Sequence, residues 1–186
     1  MLSLDTGQTL SLINATIQDA LKADTYFVGI VRGDEIYLDL FYDDGEYFAE
    51  TRIPLYGTLS GWVIRNQREL FLPDLRKEVP LEGVGKFIIG RQKTSLSWMG
   101  VPLNATNVTG IIALRAYVPN AFDRADMELL SNLAQHVTLA LENTIRHAQV
   151  EEQIEAEEFS PHSRLLRLPP RSAAAGAAAG NTRPRD

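Results

Sequence analysis

The side chains with chemistry to offer in this 186-residue chain are three histidines, a knot of carboxylates and one basic stretch, and there is no cysteine. The missing thiols remove disulfides, thiolate metal sites and a cysteine nucleophile from the range of activities. His136 and His147 fall within a long helical pattern and are read as surface or interface residues. No histidine therefore stands where a base would meet a strand-end nucleophile, as a Ser-His-Asp site requires. Asp43, Asp44 and Glu46 crowd together, but Asp-Asp-Gly is what a tight turn needs, and no metal site is expected. Gly83-Val84-Gly85-Lys86 departs from a phosphate loop, with Pro80 in place of the leading glycine and Phe87 in place of the Ser or Thr after the lysine. What remains is Arg76, Lys77, Lys86, Arg91 and Lys93, opposed only by Glu78 and Glu82. By its charge alone this run is read as a solvated loop, since charge runs usually face water.

The elements that must position these groups follow from the apolar pattern. Leu10, Ile13, Ile17, Ala20 and Leu21 predict an opening helix from Thr9 or Ser11 to about Asp24. TYFVGIVRGDEIYLDLFYDDGEYFAETRI holds three β-rich runs separated by Gly33-Asp34 and Asp43-Asp44-Gly45, the punctuation of a meander. Gly57 to Gln67 predicts a short helix capped by Ser60, with Trp62 and Val63 turned inward, and residues 69–72 a short strand. Residues 74–95 read as a loop, and Thr94–Leu103 and Val108–Val118 as strands apolar on both faces. Asp123 begins a long helix whose apolar face carries Leu129, Leu130, Leu133, Val137, Leu141 and Ile145. Residues 1–159 carry 13 Lys/Arg against 23 Asp/Glu, a net of −10, which argues against a nucleic-acid surface. No apolar run approaches the ~20 residues that span a bilayer, and MLSLDTGQTL lacks the pattern of a signal peptide, so no membrane is expected and the chain is read as cytoplasmic.

Two segments, GTLSGWVIRNQRELFLPDL at 57–75 and WMGVPLNATNVTGIIALRAYVPNAFDRADMELLSNLAQHVTLALENTI at 98–145, together resemble a GAF domain. The resemblance implies an α/β (α+β) fold: an antiparallel sheet of five or six strands, with the N- and C-terminal helices on one face and the loops plus the short helix on the other. It also implies that the 74–95 connection lids a ligand pocket, in which Arg91 or Lys93 would hold an anionic small molecule against strand backbone. Inward side chains of the sheet and the short helix would line it: Phe27, Tyr37, Leu40, Tyr42, Trp62 and Met99, with Ser97 as a polar contact. The alternative is that the same side chains simply fill a core. The cofactor stays unknown, except that a covalently attached bilin needs a cysteine. The free methionine sulfoxide reductases built on this fold also use cysteine, and no catalysis is expected. One GAF subfamily recognises cyclic nucleotides with residues spread over the late strand and the exit helix; here Asn120, Phe122 and Asp123 are compressed into one turn, where Asp123 is more simply a helix cap.

The resemblance divides the chain into a sensory domain at 1–147, a projecting signalling helix at 148–159, and a Pro-, Arg-, Ala- and Gly-rich tail at 160–186 that is expected to be disordered. A homodimer through the C-terminal helix is expected, relaying ligand state to an output domain or partner kinase, as in two-component signalling. The tail's composition fits out-of-frame translation, and the layout fits the sensor part of a truncated histidine kinase. His162 is not expected to be its phosphoacceptor, because Ser163 replaces the acidic residue that should follow and Pro161, Pro169 and Pro170 break the helix. The competing function is a structural dimerisation module without ligand.

Overall fold

The computed structural model describes residues 4–77, 81–85 and 93–158. The 160–186 tail, with His162, lies outside them, as do Lys86 and Arg91. The chain divides into two units, Met1–Ala148 and Gln149–Asp186. The elements run α1 (Leu4–Ala20), β1 (Thr25–Arg32), β2 (Glu35–Asp43), β3 (Glu46–Tyr47), β4 (Thr51–Pro54), α2 (Leu59–Asn66), β5 (Leu70–Leu72), β6 (Ser97–Ala105), β7 (Val108–Ala116) and α3 (Arg124–Glu158).

All strand pairs are antiparallel, in the order β3-β2-β1-β7-β6-β5, with β4 also on β2. The sheet has seven strands rather than five or six, because the third β-rich run breaks where Glu50 takes φ 53° and divides into β3 and β4. The β2–β3 turn places Asp44 at φ 47° and Gly45 at φ 94°, the doubly left-handed geometry of a two-residue hairpin.

Alternation sorts the sheet's side chains into two cores. Tyr26 and Val28 of β1, Met99, Val101 and Leu103 of β6, and Ile112 and Leu114 of β7 pack against Ile13 and Ile17 of α1 and against Met127, Leu130, Ala134, Val137 and Leu141 of α3. Phe27, Trp98, Ile111 and Ala113 point the other way, against Val63 and Ile64 of α2. Strands covered on both faces are apolar throughout, so period two carries little signal in them. α1 begins at Leu4, earlier than Thr9 or Ser11.

The caps fix where two helices start. Thr58 is extended at φ −115°, ψ 156°, and its Oγ1 accepts from the Gly61 amide at 3.0 Å, so Thr58 caps α2 and the predicted cap Ser60 sits buried in the first turn. α3 opens on a reciprocal box: the Asp126 amide donates to Asp123 Oδ1 at 3.0 Å and the Asp123 amide to Asp126 Oδ2 at 2.9 Å. Further along α3, buried Glu142 accepts from the Asn107 amide at 2.9 Å and from its Nδ2 at 3.2 Å, fastening the β6–β7 turn. Gln149 to Ala156 are exposed throughout.

Candidate functional site

On the α2 side of the sheet lies a cavity of ≈ 480 Å³. Phe27, Trp98 and Arg115 rise from β1, β6 and β7, and Ile53 comes from β4. Thr58, Leu59 and Ser60, at the start of α2, form one wall; Leu75, Arg76, Val84, Gly85 and the approach to β6 from Lys93 to Leu96 form another. The volume falls within the ~300–1,000 Å³ range of small-molecule sites, and the wall is the usual mixture of apolar surface and a few polar groups.

Backbone pairing holds the connection against the body. Gly85 donates to the Gly57 carbonyl at 2.8 Å, Leu75 to Leu96 at 2.8 Å, and Leu96 to Ala116 at 2.8 Å. On α2, Gly61 lets the first turn approach Leu55: a Cβ there would stand 1.7 Å from the Leu55 carbonyl oxygen. Arg65 donates to that same oxygen at 2.7 Å.

One row of the sheet is polar on the cavity side. Thr25 pairs directly with both Asp43 and Arg115, and Arg115 pairs with Trp98. Asp43 and Thr25 are fully buried and Arg115 is only 6% exposed. Thr25 Oγ1 donates to Asp43 Oδ1 at 2.5 Å, and the Tyr117 hydroxyl donates to the same oxygen. Burial pulls the Arg115 guanidinium below its ordinary value, while the charges of Asp43 and Tyr117 oppose that pull; an arginine stays cationic regardless. Burial, and then the bond to Asp43, push the Tyr117 phenol up. Lys93 pairs with Asp44 and lies 5.1 Å from the Tyr117 ring centre. Arg76 grips Asp74 with Nε at 2.9 Å and Nη2 at 2.8 Å, which holds that carboxyl at about 2.

Of the residues expected around a ligand, Phe27 and Lys93 line this cavity. Met99 does not, because in β6 it alternates with Trp98 and faces the helices. Tyr42 also faces the helices, stacked on Tyr26 at 4.8 Å between ring centres, and Leu40 packs on that side too. The cause is a bulge: the register between β1 and β2 slips between Val28 and Gly29, so Phe41 and Asp43 join Ile36 and Leu38 on the cavity side. Tyr37 alternates away from Ile36 and lies between Arg32 and Arg52, at 4.9 and 5.5 Å. Trp62 packs partly buried against the α2-side core without reaching the cavity wall, and Ser97 donates to the Val118 carbonyl at 2.9 Å. His136 and His147 are exposed on α3, Phe122 is buried, and Asp123 caps α3. Arg115 was missed, although a lone charge inside GIIALRAYV is a visible anomaly.

Comparison with known proteins places this geometry. Residues 3–142 match the GAF domain family. The GAF domain of a phosphoenolpyruvate-protein phosphotransferase from Coxiella burnetii is similar at TM-score 0.60 and 17% identity, over 81% of this chain and 88% of that one. The GAF-B domain of DevS from Mycobacterium smegmatis is similar at 0.57 and 16%, over 78% and 98%. A type II free methionine-R-sulfoxide reductase from Thermoplasma acidophilum is similar at 0.60 and 16%, over 75% and 94%. No curated protein matches the chain. At these identities the likeness is one of fold. It nevertheless corrects the expectation of no catalysis: the reductases are enzymes on this architecture, so reading the fold as non-catalytic does not stand.

Proposed function

Because the chain belongs to the GAF domain family, whose members are generally small-molecule-binding regulatory domains, we propose that it is a cytoplasmic sensory module that binds a small organic molecule in the cavity above Phe27, Trp98 and Arg115. The observation that carries this reading is the cavity itself, a space of ≈ 480 Å³ that the protein's own side chains leave unfilled between α2, the connection and the sheet. A purely structural module has no use for such a space, since empty volume costs packing energy.

The relay runs through β7. Arg115 meets the cavity from one face of that strand, while Leu114 and Ala116 pack toward the helices from the other, and Glu142 ties α3 to the β6–β7 turn. A ligand that prefers one setting of β7 thereby biases α3, provided its affinity for the two settings differs. Leu139, 63% exposed on α3, and Leu12, 69% exposed on α1, supply apolar surface for a homodimer, and a partner kinase or output domain reads its state.

Thermal unfolding of the full chain, with and without the small-molecule fraction of an extract from its own cells, tests the binding. Ligand at 100 times Kd adds about 2.7 kcal/mol to stability, so the midpoint should rise by several degrees. An unchanged midpoint overturns the proposal.

A further inference from the structure

The charges around the cavity are arranged by sign. Among the described lining residues three are cations, Arg76, Lys93 and Arg115, and none is acidic. Each cation has a carboxylate set behind it, off the wall: Asp74 for Arg76, Asp44 for Lys93, and Asp43, whose charge supports Arg115. The chain as a whole carries a net charge of −6, so a wall whose charges are all positive among the described residues is not a sample of its general surface. A site for a cation would turn its carboxylates toward the ligand.

The three cations are not equivalent. The side chains of Arg76 and Lys93 are 61% and 55% exposed, hydrated and screened at the rim. Arg115 is 6% exposed and sits on the floor, beside its cross-strand neighbour Trp98. An anion reaching it would be bound in a low-dielectric setting, where a planar guanidinium fork is most effective. The first turn of α2 presents the positive end of its dipole to the same space.

We propose that the cavity takes a monocarboxylate with a flat apolar body, its carboxylate on the Arg115 guanidinium and its body between Phe27, Leu59 and Trp98. A single buried fork matches a single planar anion. A phosphate brings a second charge into a space whose other two cations among the described residues are rim-bound and largely hydrated. This inference rests on the small-molecule reading above and narrows it to one chemical class.

Isothermal titration calorimetry on the full chain tests it with phenylacetate and indole-3-acetate, their matched neutral amides phenylacetamide and indole-3-acetamide, and phenyl phosphate. Each acid should bind at least about tenfold more tightly than its amide, the usual worth of a charge-assisted bond. Arg115→Lys, which keeps the charge and loses the planar fork, should weaken both acids severalfold and leave the amides alone; Arg115→Gln, checked for folding by circular dichroism, should abolish the acid preference. Equal binding of acid and amide overturns the inference and leaves small-molecule binding intact. Tighter binding of phenyl phosphate overturns the choice of carboxylate. Binding of none of the five overturns the inference, and the small-molecule reading falls with it only if the cell extract also fails to raise the unfolding midpoint.

Discussion

Replacing Gly61 by alanine separates two effects that one residue type combines. In an exposed helix interior the change stabilises by about 0.8–1 kcal/mol, since alanine loses less backbone freedom on folding. At Gly61 the added Cβ would lie 1.7 Å from the Leu55 carbonyl oxygen, 2.6 Å from its carbon and 3.1 Å from Thr58 Oγ1. To reach ordinary van der Waals separation, α2 and the Leu55 backbone must part by roughly 1.5 Å or more. That movement strains packing by about 1–3 kcal/mol. It also pulls the Thr58 cap off the Gly61 amide, worth about 1 kcal/mol. The clash and the lost cap together exceed the helix-propensity gain, so Gly61→Ala should lose about 1–3 kcal/mol, or roughly 3–10 °C in midpoint for a chain of this length. Gly7→Ala in α1 is the control, because its Cβ would meet nothing within 4 Å; it should gain up to about 1 kcal/mol. Thermal and urea unfolding of the two full-length variants would report opposite signs. Equal or greater stability of Gly61→Ala relative to Gly7→Ala refutes the packing of α2 against Leu55, and with it one wall of the cavity.

Leu130 is fully buried between α3 and the sheet, and Leu130→Ala should cost about 2–5 kcal/mol in urea unfolding, with less than about 1 kcal/mol placing α3 elsewhere. Asp74 and Asp39 should show opposite pH dependence. Arg76 holds Asp74 at about 2, a depressed value whose stability contribution is present above the unfolded pKa near 4 and is lost as the pH falls toward 2. Asp74→Asn should therefore destabilise at neutral pH but not near pH 2. Burial raises Asp39 against the opposing charge of Arg32, so its ionised form is disfavoured in the folded state at neutral pH. Asp39→Asn should stabilise there, with the gain shrinking as the pH drops below the unfolded value; carboxyl NMR titration of both residues checks the directions. Lys93→Ala breaks a pair whose side chains are 55% and 34% exposed, so the loss should stay under about 1 kcal/mol and fade in high salt, as unfolding at two ionic strengths would reveal.

The helices and hairpins were legible because each rests on local chemistry. Asp123 announces the α3 cap, Asp44-Gly45 fits only a tight turn, and Ile13 and Ile17 mark a helical face without help from the rest of the chain. The face of each strand was harder to read. In SWMGVPL every position is apolar or small because both sides of β6 are covered, so nothing local tells Trp98 from Met99. In β2 the bulge reverses the count part-way along, so the alternation that groups Leu40 and Tyr42 with Ile36 fails. The α2 cap was displaced by two residues because Thr58 and Ser60 are both good cap residues, and only the backbone angles choose Thr58. Arg115 was overlooked for a different reason. Its partners Thr25 and Asp43 come from strands 90 and 72 positions earlier in the chain, and only sheet register brings them together.

Native mass spectrometry of the full chain purified from its own cells tests the central claim most directly, because the claim is that the cavity above Arg115 is a ligand site. The account predicts a folded species carrying one discrete added mass per chain, lost in Arg115→Gln. Bare protein in every charge state, or an added mass that Arg115→Gln retains at full occupancy, contradicts it.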